Sequence, residues 1–213
     1  MDDEPDRCCF DDWTPTYAKR AREHRLGGVS RDLVRGLEEA GLRDRTILDL
    51  GCGAGGLIFE ALERGATSAT GVDLSSASIE QAHLISTERG LDDRATFSVA
   101  DGSIASLSPH DVVVLDKVFC CFADVDRLLA NSLSAARSVY AFAVPPSSGV
   151  RGVIARGLSR IENGWYRLRP RRFGGFRTHI HDVGQLDANV RAAGFSPLFR
   201  RRRLGWDLAV YGR

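Results

Sequence analysis

Three acidic residues and a run of glycines carry the chemistry of this 213-residue chain. The run is Leu48-Asp49-Leu50-Gly51-Cys52-Gly53-Ala54-Gly55-Gly56. Closely spaced glycines let a backbone turn tightly and approach a ligand. Asp73 follows Gly51 by 22 residues, where a carboxylate can accept both hydroxyls of a ribose. Asp101-Gly102 adds a third acid. A dinucleotide site reads G-x-G-x-x-G, whereas here an acid stands two residues before the first glycine. Three carboxylates together repel a diphosphate. They suit a ligand carrying an ammonium, a sulfonium, a ribose diol and an exocyclic amine. The plainer alternative makes these residues turn and cap formers, with Asp73 capping a helix alongside Ser75.

S-adenosylmethionine has all four of those groups. Methyl transfer from its sulfonium is an in-line displacement, so alignment is the main demand and no catalytic residue is compulsory. Acceptor-side candidates cluster after an apolar run at Val112–Leu115: Asp116, Lys117, Val118, Phe119, Cys120, Cys121 and Phe122. Asp116 joins the cofactor set with Cys52. Phe119, Cys120 and Tyr17 join the acceptor set. His179 and His181 alternate in sequence and share one side of an extended segment. They are the natural bases near neutral pH, and Lys117 is the third catalytic candidate.

Residues 151–177 hold eight arginines against Glu162 alone, with Trp165, Tyr166, Phe173 and Phe176 interleaved. Arg169 and Arg171 are expected to clamp substrate carboxylates, and Trp165 to stack on a flat ring. Binding of RNA through phosphates and stacking is the second reading, and a solvated amphipathic helix-loop the third.

The elements that must position these groups read from periodicity. Strands are expected at 46–50, 69–74, 96–100, 112–115 and 139–144, alternating with helices that end at Gly65 and Gly90. Ser30 is expected to cap the helix carrying Leu33, Val34 and Leu37. A helix over 182–193 precedes strands at 196–203 and 206–211, whose two-residue link demands an antiparallel hairpin. The fold class is α/β: a Rossmann-like, seven-stranded, mostly parallel sheet with a terminal antiparallel hairpin and helices on both faces. Residues 1–29 form an N-terminal arm covering the active site, and 147–180 an inserted lid within the domain 30–213.

Composition sets the outer bounds. Apolar residues make up 43% and charged residues 27%, which supports a core and excludes global disorder. No stretch approaches 18 uninterrupted apolar residues, and the start MDDEPDR lacks a secretory pattern, so a cytoplasmic location is expected. The five cysteines show no zinc spacing and no disulfide framework; no metal is expected. Residues 1–130 carry a balance of −10 and residues 131–213 one of +11. The basic end should meet an anion.

ILDLGCGAGG, GVDLS, the VADG step and the strand order resemble class I S-adenosylmethionine-dependent methyltransferases over about residues 30–213. The resemblance implies that Asp49, Gly51, Gly53 and Gly55 line the methionine moiety. Asp73 and Leu74 would take the ribose and one adenine face, and Asp101 and Gly102 the adenine amine. The Asn/Asp-Pro-Pro-Tyr sequence of amine and nucleobase methylases is absent. LDKVFCCF and the ending FRTHIHDVGQLDANVRAAGFSPLFRRRRLGWDLAVYGR are similar to magnesium-protoporphyrin IX O-methyltransferases and their relatives. The function so implied is methyl transfer to an oxygen of a small, anionic, flat acceptor, with an RNA methyltransferase or a non-catalytic binding module as alternatives.

Overall fold

The computed structural model describes residues 10–173 and 175–213, without the side chains of Arg171 and Arg172. Cys8 and Cys9 lie outside the described residues. The expected role of Arg171 likewise falls on an undescribed side chain.

Seven strands form one sheet: β1 Thr46–Leu50, β2 Ser68–Asp73, β3 Ala95–Val99, β4 His110–Asp116, β5 Ala136–Val144, β6 Ser196–Arg203 and β7 Trp206–Gly212. Their order is β3-β2-β1-β4-β5-β7-β6, with only β7 antiparallel to its neighbours. The seven-stranded Rossmann-like sheet with its closing hairpin is therefore as the sequence implies. Central strands of a parallel sheet are covered on both faces and read as unbroken apolar runs. Val112, Val113, Val114 and Leu115 of β4 are all fully buried.

Helices α1 Thr14–Arg22, α2 Gly28–Glu39, α3 Gly56–Glu63 and α4 Ser76–Glu88 cover one face, where Leu37, Ile58, Phe59 and Ile85 meet Ile47 and Val112. Helices α5 Val125–Ser134 and α8 Val183–Ala192 cover the other, where Leu128, Leu186 and Val190 meet Leu48, Val113 and Phe142. The edge strand β6 is guarded by charge: Arg200 pairs Asp187, and Arg201 and Arg203 pair Asp32.

Two local expectations need correction. The helix expected to start at Ser30 starts earlier, with Gly27 as its cap, so Ser30 is internal and buried. Its hydroxyl is thereby freed to reach Asp116. The arm holds more helix than its weak periodicity suggests: a 3-10 turn at Asp11–Trp13 and then α1, whose Ala18 and Ala21 are buried in the first core. The segment after β5, expected as an inserted lid, is largely helical. It holds α6 Gly149–Arg167 and the short α7 Pro170–Phe173.

Leu128 is fully buried and stands under Gly102 at the rim. Truncating such a leucine loses transfer energy and leaves a cavity. Leu128→Ala is expected to lower unfolding stability by about 2–5 kcal/mol, read from urea unfolding midpoints.

Candidate functional site

β2, β1 and β4 are neighbours in the sheet, and their carboxyl ends share one rim. Each delivers an acid there: Asp73, Asp49 and Asp116. All three line one cavity of 670 Å³. Strands lie about 4.8 Å apart, so the topology alone crowds these groups.

Each is handled differently. The carboxylate of Asp73 accepts the Gly53 N–H at 2.7 Å and the Ser75 N–H at 2.9 Å. Burial still holds its pKa above the usual range. Asp116 accepts from Ser30 Oγ at 2.5 Å and from Lys117 Nζ, which also reaches Ser30 at 2.9 Å. Lys117 sits at φ +67°, a left-handed turn that folds its ammonium back onto the preceding residue. Asp49 is 2% exposed. Burial, then the charges of Asp116 and Asp73, push its pKa well above the carboxylate range. Among the described residues Oδ1 of both Asp49 and Asp116 is buried without a partner. Such an arrangement lacks a donor or a cation.

The glycine loop supplies room beside these acids. Gly51 has φ +75°, and a Cβ there would lie 2.4 Å from Val118 Cγ2. Gly53 has φ +53°, and a Cβ there would meet nothing within 4 Å. Gly51 thus closes the loop on β4, while Gly53 opens onto the cavity. An S-adenosylmethionine-shaped ligand fits this donor set: two orphaned carboxylate oxygens for its cationic end, and further lone pairs on Asp73 for a diol.

The other expected residues divide. Leu74, Cys52, Gly102, Tyr17, Lys117, Cys120 and His179 line the cavity. Burial and Asp49 raise the Cys52 thiol, and burial raises the Tyr17 hydroxyl. Cys120 lies 3.8 Å from Cys121 between sulfurs, and that contact lowers its pKa. His179 is held by its backbone N–H on the Cys120 carbonyl, and burial and His181 lower its pKa.

Gly55, Asp101, Phe119, His181, Trp165 and Arg169 do not line the cavity. Gly55 caps α3 in the left-handed region. Asp101 accepts the Ser103 N–H in a local turn. Phe119 is core, its ring edge-on to Phe142. Nε2 of His181 donates to the Phe119 and Phe122 carbonyls at 3.0 and 2.9 Å. Carbonyls only accept, so that nitrogen carries its proton and is occupied. Trp165 packs on Tyr166 and Phe173, with the Arg169 guanidinium 4.1 Å over its ring. The acceptor side gains residues that sequence reasoning missed: Arg20, Arg25, Ser30 and Glu162 line the same cavity. The helical spacing of Tyr17, Arg20 and Ala21 was the available signal for the first.

Residues 43–146 match a family model described as a methyltransferase domain. The chain is 30% identical over 127 residues to the ribosomal protein L11 methyltransferase of Pasteurella multocida, covering 59% of this chain and 39% of that enzyme. It is 28% identical over 179 residues to the ubiquinone biosynthesis O-methyltransferase of Maricaulis maris, covering 77% and 68%. The chain thus spans well under half of the first relative. In fold it is similar to magnesium protoporphyrin IX methyltransferase from Synechocystis with bound SAH: TM-score 0.69 and 17% identity, over 95% of this chain and 97% of that one.

Asp49 makes a pH prediction free of any ligand. Its folded pKa lies above its unfolded one, so the stability linked to it is present under acid and lost as pH rises through the folded pKa. Asp49→Asn is expected to raise the thermal midpoint of the ligand-free protein at neutral pH and to flatten its decline from acid to neutral. An unchanged profile would show that Asp49 is not the crowded group.

Proposed function

We propose, from the premise that the chain carries a class I S-adenosylmethionine-dependent methyltransferase domain, that it methylates an oxygen of a small, flat, anionic molecule. The observation that carries this reading is the pair of orphaned carboxylate oxygens on Asp49 and Asp116 beside the open face of Gly53. When bound, the cofactor supplies an electrophilic methyl group on a cationic sulfur. Asp49, Gly51 and Gly53 are assigned to its methionine end, Asp73 and Leu74 to the ribose and adenine face, and Gly102, with Asp101 behind it, to the adenine amine.

The rest of the cavity takes the acceptor. Trp13, Tyr17, Phe122, Tyr166 and Phe176 give it apolar, aromatic walls, and Arg20 and Arg25 give it positive charge. This fits a flat body bearing an anion. The charge comes from the arm, so the clamp expected of Arg169 is reassigned to Arg20 and Arg25. The arm and α6 together wall the acceptor space, with Phe10 of the arm packed on Phe176 in the segment after α7. An oxygen acceptor is also what the name of the Maricaulis relative carries. Among the described side chains, the arginines of the insert named for RNA are not part of this wall, and no observation favours the RNA reading.

A carboxylate acceptor needs no base. A hydroxyl acceptor must lose a proton, and His179 is the cavity-lining group able to take it. Burial and its neighbour His181 keep it neutral at neutral pH, the form that accepts. His181 positions that segment.

Formation of S-adenosylhomocysteine across a panel of aromatic hydroxy acids and carboxylic acids tests the reading; turnover restricted to amines or to protein substrates would overturn it. Asp73→Ala is expected to weaken S-adenosylhomocysteine about 10- to 100-fold, the loss of a charged hydrogen bond, by calorimetry. With a hydroxyl acceptor, kcat/KM should fall as pH drops through the His179 pKa, below the ordinary imidazole value. His179→Asn should remove that acid limb as well as most of the rate, while binding of S-adenosylhomocysteine holds.

A further inference from the structure

Helix α6 presents two unlike faces. Gly152, Ser159 and Tyr166, seven residues apart, are its buried positions. At about 100° per residue, Val150, Val153, Ile154, Ile161, Trp165 and Leu168 fall on the opposite side, within an arc of about 120°. They are 76%, 63%, 56%, 71%, 42% and 80% exposed. Among the described residues only Trp165 is partly covered, by Phe173 and the Arg169 guanidinium. A globular helix normally turns such a stripe inward, and an exposed apolar patch of this extent marks an interaction site.

Charge flanks the stripe. Arg156, Arg160 and Arg167 lie along one border, and none has a carboxylate partner among the described ion pairs. The other border is the cavity side, where Leu158 and Glu162 line the acceptor space. A second apolar point stands beside the helix. Arg151 donates to the Arg203 and Trp206 carbonyls and to Asp207, and so holds the β6–β7 turn against the start of α6. Leu204 at the tip of that turn is 100% exposed.

We propose that α6 and the Leu204 turn dock on the surface of an anionic lipid bilayer, with the stripe in the headgroup–acyl boundary and the arginines on the lipid phosphates. The stripe is a convex ridge with a tryptophan near one end and arginines alongside, the form of a helix lying in an interface. Two copies meeting through it would bring unpaired arginines together, which disfavours self-association. Closure of α6 over the cavity would not cover it either, since it faces away from the buried side. Docked this way, the cavity border of α6 lies beside the bilayer. The inference stands whether or not the methyl acceptor is the one proposed above.

The test uses the full chain and unilamellar vesicles of phosphatidylcholine with or without phosphatidylglycerol. Cosedimentation is expected with the anionic vesicles and at least about tenfold weaker with phosphatidylcholine alone or at high salt. Val150→Glu with Ile161→Glu should lose the binding, as should Arg156→Glu with Arg160→Glu, each with an unchanged circular dichroism spectrum. Should the first pair disturb folding, brominated lipid provides a second readout. It should quench a component of the tryptophan emission that Trp165→Phe removes. Absence of vesicle binding, binding indifferent to anionic lipid or to both variant pairs, or quenching that survives Trp165→Phe would overturn the proposal. So would reversible dimerisation abolished by Val150→Glu with Ile161→Glu, or capture of acidic proteins in place of vesicles.

Discussion

Repulsion among three carboxylates governs this molecule's site. Asp49, Asp73 and Asp116 end three adjacent parallel strands, so strand spacing fixes how far apart they can be. Burial removes the water that would screen them. The protein answers part of the problem internally: backbone N–H groups on Asp73, a hydroxyl and an ammonium on Asp116. On Asp49 the Lys117 charge acts only as the smallest of the influences, and Oδ1 is left without a partner. A cavity built this way is complementary to positive charge before any ligand arrives, and it excludes the pyrophosphate that other nucleotide-binding α/β sheets hold at the same rim.

The neighbouring elements follow from that constraint. Lys117 is useful to Asp116 because its backbone adopts the left-handed region, which turns a side chain at the end of β4 back toward its own strand. Ser30 reaches the same carboxylate because α2 begins at Gly28 and places the hydroxyl inside the helix. Gly51 must lack a side chain because Val118 fills the space a Cβ would need. Gly53 differs: the space beside it is open to the cavity, and its positive φ is what favours glycine.

Much of this was legible in the sequence, because it is set by local spacing. An acid, a glycine loop and a second acid 22 residues after the first glycine lie on one βαβ unit, and chain connectivity makes them neighbours. The alternation of strands and helices, and a hairpin link of two residues, marked a mostly parallel sheet closed by an antiparallel hairpin in the same local way. What stayed hidden depends on long-range packing. Ser30 and Asp116 are 86 residues apart. His179 and His181 are equivalent by spacing, and only the carbonyls of Phe119 and Phe122 separate a free ring from an occupied one. Likewise Asp101 and Gly102 are adjacent, but the local turn takes the acid and leaves the glycine at the cavity.

The arginine-rich insert shows why composition misleads about direction. Eight arginines in 27 residues promise an anion site, but a helix turns each successive residue by about 100°. A count along the sequence therefore carries no information about which way the charges point. In α6 the buried side went to glycine, serine and tyrosine, the cavity border to Leu158 and Glu162, and Arg156, Arg160 and Arg167 to the opposite flank, while Arg151 holds the β6–β7 turn. Besides Lys117, positive charge inside the cavity came from α1 and the residues just after it, in the part of the chain whose net charge is negative. The cations of the cavity and of the outer flank are thus separate: Arg20 and Arg25 line the cavity, and Arg156, Arg160 and Arg167 do not. A substrate and a surface need not compete for the same side chains, and one helix can wall the first while it meets the second.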